Sequence, residues 1–139
     1  MKTASRTLAC LILAVSAALS AEPRAEPTDV SIIRLIASPK DYARKLVRIV
    51  GYLSVEFEGD AIYLHEEDFR RSLTTNGLAV GATDKTLKQL RKLSGQYVII
   101  EGVFDPSLRG HLGLFSGGIG NITRVDAWNP GPAPTAPPP

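Results

Sequence analysis

The hydrophobic pattern of the chain changes period several times, and each change predicts an element. From Leu46 to Phe57 the odd positions Val47, Ile49, Gly51, Leu53, Val55 and Phe57 are apolar or small, while Arg48, Tyr52, Ser54 and Glu56 stand between them. A period of two marks a strand with one buried face. Glu58-Gly59-Asp60 predicts a tight turn, because Gly59 accepts backbone conformations that other residues resist. Ala61–His65 is then the returning strand, and His65–Arg71 reads as a short helix or irregular loop. Asn76-Gly77 is a turn signal ahead of a short strand over Leu78–Gly81. Asp84 predicts an N-cap for KTLKQLRKL, with Leu87, Leu90 and Leu93 facing inward and Lys85, Lys88, Arg91 and Lys92 in solvent. Ser94-Gly95 ends that helix. Gln96–Phe104 is a strong strand, Asp105–Gly120 a long connection with five glycines between 110 and 120, and Asn121–Trp128 the last strand. Ahead of the first strand, Thr28 or Asp29 caps a helix carrying Ile32, Ile33, Leu35 and Ile36, which Pro39 stops.

An internal echo refines this pattern. Val47-x-Ile49-x-Gly51 and Val98-x-Ile100-x-Gly102 match at an offset of 51. Glycine weakens a strand and is kept inside one where the strand must bend sharply or another backbone comes close. The order is helix, three strands, helix, two strands. The expected fold is therefore mainly β with two helices: a five-stranded OB-fold-like Greek-key barrel with one helix between strands three and four and another at the N-terminus. An α+β sheet with both helices on one face is the competitor, and the paired strand glycines favour closure.

The two ends of the chain read differently from its middle. Lys2 and Arg6 precede an uncharged run from Leu8 to Leu19, and small residues follow. That is the pattern of a secretory signal peptide over residues 1–21, cleaved near Ser20 or Ala21. Twelve helical residues rise only about 18 Å, short of a hydrocarbon core about 30 Å thick. Residues 22–27 form a polar linker, and 28–128 is the domain. Six of the ten prolines fall in 130–139, so 129–139 reads as a polyproline II-like or disordered tail.

Composition changes meaning once the signal is set aside. The 139 residues are 44% hydrophobic and 22% charged, the balance of one soluble domain. The net charge of +2 comes from sixteen basic and fourteen acidic residues, and Lys2 and Arg6 leave with the signal. The mature chain is then formally neutral, which removes the compositional support for nucleic-acid binding. Cys10 leaves as well, so a disulfide, a cysteine-rich zinc site and a cysteine nucleophile are all excluded. The expected setting is periplasmic or secreted, with no membrane span in the mature form.

Three stretches, ASPKDYARKLVRIVGYL, AIYLHEEDF and GHLGLFSGGIGNITRV, resemble a group of small exported bacterial OB-fold-like proteins of uncharacterised function. The resemblance rests on Pro39 and Tyr42 before the first strand, Gly51 within it and the His111–Gly117 run, and spans most of residues 30–126. It implies a fold and an exported setting, and it brings no catalytic residues.

OB-folds bind ligands across their second and third strands, between the 1–2 and 4–5 loops. Here the first loop is minimal and the second carries Arg109, His111 and Phe115. Strands two and four both run antiparallel to strand one, which predicts that His65 and Glu66 share a rim with Arg109 and His111. Tyr52 and Tyr63 are expected to face outward on adjoining strands. The expected ligand-binding set is therefore Tyr52, Tyr63, His65, Glu66, Arg109, His111 and Phe115. The expected function is an exported, non-catalytic module that recognises an envelope protein, peptide or glycan through that face and the 105–118 loop. The alternative is a small metal-assisted hydrolase using His65, Glu66 and His111, although no HExxH or paired-histidine spacing is present. The run Glu66, Asp68, Arg70, Arg71 reads as a solvated helix face. No phosphate-binding loop or other cofactor motif is present, so no cofactor is expected.

Overall fold

The computed structural model describes residues 25–57, 59–129 and 131. The segment 1–21 read as a signal peptide, residues 22–24 of the expected linker, Glu58 of the predicted turn and most of the proline-rich tail lie outside the described residues. The elements are β1 (Thr28–Asp29), α1 (Ile32–Ala37), α2 (Pro39–Tyr42), β2 (Leu46–Ser54), β3 (Ala61–Tyr63), α3 (Glu66–Arg70), β4 (Gly77–Val80), α4 (Asp84–Lys92), β5 (Gln96–Asp105) and β6 (Gly118–Ala127). The strands run β1-β2-β3-β4-β6-β5, and β5 returns to pair with β2. Five strands, β2 to β6, therefore close a barrel, and the mainly β expectation holds. All barrel neighbours are antiparallel except β4 and β6, which run parallel through Ala79↔Gly118 and Val80↔Ile119. This order is consistent with an OB-like barrel. Among the described residues no helix is long and apolar enough to cross a membrane.

The helices correct the sequence reading in number and in position. There are four among the described residues, not two. Thr28 and Asp29 do not cap α1; they form β1, parallel to the start of β2, and Ser31 caps instead, its Oγ accepting from the Arg34 N–H at 3.2 Å. Pro39 does not merely stop a helix. It opens α2 from the first helical position, where its missing N–H costs nothing because that group has no partner within a helix. The 65–71 segment is helical as α3. Thr83, rather than Asp84, caps α4. β2 ends at Ser54, three residues early, so Phe57 points fully into solvent instead of into the core. β6 begins at Gly118, three residues early, because its first residues pair with β4.

Alternation fills the barrel. Val47, Ile49, Leu53, Ile62, Leu78, Val98, Ile100, Phe104, Ile119 and Val125 point inward and are buried. Ile32 and Leu35 of α1 and Leu90 of α4 join the same cluster, each aliphatic side chain contributing about 1.5–3 kcal/mol by leaving water. The two V-x-I-x-G echoes pair with each other: Ile49 lies opposite Ile100, Val47 opposite Gly102 and Gly51 opposite Val98. Each glycine marks a backbone crossing. A Cβ on Gly51 would lie 2.5 Å from the Tyr63 carbonyl oxygen of β3, and one on Gly102 would lie 2.7 Å from the Gly120 oxygen of β6. The central pair β2–β5 thus bends onto a neighbour at each flank, and β5–β6 breaks register between Glu101 and Val103.

The outer surface of the same strands carries a ladder of alternating charge. Asp29, Arg48, Glu101 and Arg124 stand opposite one another across β1, β2, β5 and β6. Arg48 donates to Asp29 at 3.1 Å and to Glu101 at 2.8 Å, and Arg124 reaches Glu101 at 3.2 Å and Asp126 at 2.5 Å. The Arg48 guanidinium, then that of Arg124, holds the Glu101 carboxyl below the usual carboxylate range.

Two predictions follow from the barrel and its ladder. Gly51→Ala and Gly102→Ala each cost about 2–3 kcal/mol in urea unfolding, because backbone atoms must move to admit a methyl group. Gly59→Ala, whose Cβ would meet no described atom within 4 Å, stays within about 0.5 kcal/mol of the parent. Glu101→Gln destabilises the protein at neutral pH. Because the folded value of Glu101 is depressed, its contribution is complete above the unfolded value of about 4.3. It is lost as pH falls through the lower folded value, so parent and variant converge in acid-unfolding curves.

Candidate functional site

The outward face of β2 and β3 is occupied by the protein itself. Tyr52 and Tyr63 are cross-strand partners, as expected, and both turn away from the barrel interior. They are nevertheless buried, at 8% and 6% exposure. Phe69 of α3 lies 5.7 Å from each ring, Tyr97 meets Tyr52 edge-on at 5.7 Å, and Phe115 meets Tyr63 edge-on at 5.9 Å. Five aromatic side chains thus form a continuous row, and three of them, Tyr63, Phe69 and Phe115, join Ala61, Ala79 and Leu108 in a second apolar cluster apart from the barrel core. Ring pairs of this geometry add about 0.5–1.5 kcal/mol each beyond their burial.

Polar contacts fix α3 over that row. The buried Asp68 carboxylate accepts from the His65 N–H at 3.0 Å and from Asn76 Nδ2 at 2.8 Å. The Glu66 N–H donates to the Tyr97 hydroxyl at 3.2 Å. Glu66 and Glu67 pair with Arg70 and Arg71 one turn on, facing solvent, so the mixed-charge run is a solvated helix face.

The other expected site residues divide between two places. His65 is exposed at the start of α3, and Glu66 is paired there with Arg70. Arg109 donates from Nε to the Phe115 carbonyl at 2.9 Å, closing the 106–117 loop on itself, and Phe115 is buried. That loop folds back along β4, where the Ala79 N–H donates to Gly117 and Ser116 Oγ donates to the Thr75 carbonyl. His111 is thereby carried toward Asp60, at the beginning of β3, whereas His65 follows its end. Among the described residues no group of three histidine, cysteine, aspartate or glutamate side chains is placed to hold a metal ion, so His65, Glu66 and His111 do not assemble as a ligand set.

His111 and Phe115 instead line a cleft of about 400 Å³ between the 55–60 turn and the 106–117 loop. Ala79 and Val80 form its floor, Glu56, Phe57 and Asp60 one wall, and Leu108, His111 and Phe115 the other. The volume falls within the ~300–1,000 Å³ typical of ligand clefts. Burial pushes the Asp60 carboxyl up, partly countered by Arg91 and by the Glu56 N–H. Burial and then the Glu56 carboxylate push the Tyr63 hydroxyl up. A second groove, about 500 Å³ beside Asp29, Arg48, Val50, Ile99 and Trp128, is larger, but Arg48 and Asp29 within it are bonded to each other.

The cleft loops are built to present apolar side chains. Asp105 accepts from the N–H and hydroxyl of Ser107 at 2.7 and 2.6 Å, turning the chain out of β5. Gly110 is at φ 64°, and a Cβ there would lie 2.9 Å from the Phe115 ring. Leu112, next to His111, sits at φ 57°, a region that costs a leucine on the order of 1–3 kcal/mol. It is 78% exposed and lies outside the cleft lining, whereas Phe57, on the cleft wall, is completely exposed. Glu56, Phe57 and Asp60 escape a reading by strand period because Phe57 continues the alternation of β2. The readable signal is the sequence EFEGD, with acids on either side of an aromatic in a turn.

No protein-family model and no curated protein matches the chain, so the site rests on its geometry.

Phe69→Ala tests the self-filled face. It removes the ring that bridges Tyr52 and Tyr63, and costs about 2–3 kcal/mol, less than a fully buried phenylalanine. Near-ultraviolet circular dichroism of the tyrosines falls with it.

Proposed function

We propose that this chain is an exported, OB-fold-like binding module without a catalytic centre, which takes a partner at the cleft between the 55–60 turn and the 105–118 loop. The observation that carries this reading is Phe57, a large apolar ring wholly in solvent on the wall of that cleft, with the exposed Leu112 on the loop that supplies the other wall. Two large apolar side chains stand in solvent on opposite loops, one of them in a strained backbone conformation. An aromatic ring left in water on the wall of a ligand-sized cleft is surface that a partner can bury, and backbone strain clusters at ligand clamps and switch regions. The partner is read as a protein or peptide, whose side chains can cover Phe57 and Leu112 together. Export rests on the basic start and short apolar core of residues 1–21.

A photo-reactive phenylalanine analogue placed at 57, 112 or 33 in cells secreting the protein tests this. Ile33 is an exposed apolar residue of α1 outside the cleft. Covalent adducts form from 57 and 112 and not from 33, and the recovered chain begins at Ala21 or Glu22. Equal labelling from all three positions, or none from 57 and 112, contradicts the reading.

A further inference from the structure

We infer that the occupant of the cleft is a basic segment of a partner polypeptide, in which a lysine or arginine stands beside an apolar side chain. This rests on the reading of the cleft as a binding site and specifies what it selects. The cleft wall supplied by the 55–60 turn carries Glu56 and Asp60 and no basic residue. Glu56 is exposed on the cleft wall, and Asp60 is half-buried beside it. Phe57 stands between them with its whole ring in water. An acid–aromatic–acid arrangement matches a cation with an apolar neighbour: carboxylates form charge-assisted bonds to ammonium or guanidinium, and an aromatic face attracts the same cation.

Nearby cations leave this demand open. Arg109 spends its Nε on the Phe115 carbonyl, and Arg70 and Arg71 belong to α3, beyond the end of β3 away from Asp60. Arg91 offsets Asp60 only in part, since burial still holds that carboxyl above its ordinary range. A partner's cation would restore the counter-charge that burial withholds. An acidic partner would be repelled by the turn, and a neutral one would leave the Asp60 carboxylate further desolvated without compensation.

The test uses the mature chain, residues 22–139, labelled with ¹⁵N, and three octapeptides: alternating lysine and leucine, alternating glutamate and leucine, and alternating lysine and serine. The lysine/leucine peptide binds about tenfold or more tightly than the other two, because charge and apolar contact act together at a partly desolvated site. It shifts the amides of 56–60 and 108–113, and its affinity falls with added salt. Glu56→Gln combined with Asp60→Asn loses about the same factor. Phe57→Ala, which deletes a side chain wholly in solvent and so spares the fold, also weakens binding. Equal affinity for the glutamate/leucine peptide, or shifts confined to other surfaces, overturns the inference. If adducts form at 57 and 112 in cells while the lysine/leucine peptide shows no preference, the cleft serves a different chemistry and only this inference falls. If both fail, the cleft reading falls with it.

Discussion

The fold depends on one close approach made twice. β2 and β5 pair about Ile49 and Ile100, and at either end of that pairing a glycine lets another backbone come within a distance no side chain permits. Gly51 admits the Tyr63 carbonyl, and Gly102 admits the Gly120 carbonyl. Without those approaches the central strands could not curve onto both neighbours, and the sheet would lie open. Closure also sets where every outward side chain falls, since a strand's alternation leaves only two faces.

Closure accounts for the odd economy of the outer surface. One side of the barrel carries the charge ladder from Asp29 to Asp126, with each charge answered by a neighbour on the next strand or two residues along. Another carries the aromatic row, answered by Phe69 and held by the hydrogen bonds of Asp68. Both surfaces are complete in themselves. The cleft between the 55–60 turn and the 106–117 loop is different in kind, because on its wall Phe57 remains in solvent and the Asp60 carboxyl is partly withdrawn from it. Function is best sought where the protein has not satisfied its own side chains.

Much of the fold was legible in residue order. The period of two over 46–54, the amphipathic run at 84–92 and the paired glycines lead to a closed β structure with a helix before its fourth barrel strand. Less was legible at the termini of elements, where caps compete: Ser31 and Thr83 prevailed over Asp29 and Asp84 because strand pairing and chain direction decide which oxygen faces the first free N–H groups. The site was legible only in its second wall. Of the residues lining the cleft, the sequence singles out only His111 and Phe115, while Tyr52 and Tyr63 look like an open stacking surface in sequence, and only tertiary structure brings Phe69 down upon them. His65 and His111 look equally available, yet a three-residue β3 followed at once by α3 parts them.

Hydrogen exchange of residues 22–139, alone and saturated with the alternating lysine/leucine octapeptide, tests most directly whether that peptide binds at the loop cleft rather than at the aromatic face. Added protection confined to 55–60 and 106–115, with 66–70 unchanged, is the result expected. Protection falling on 66–70, with the cleft loops exchanging as before, would contradict the account.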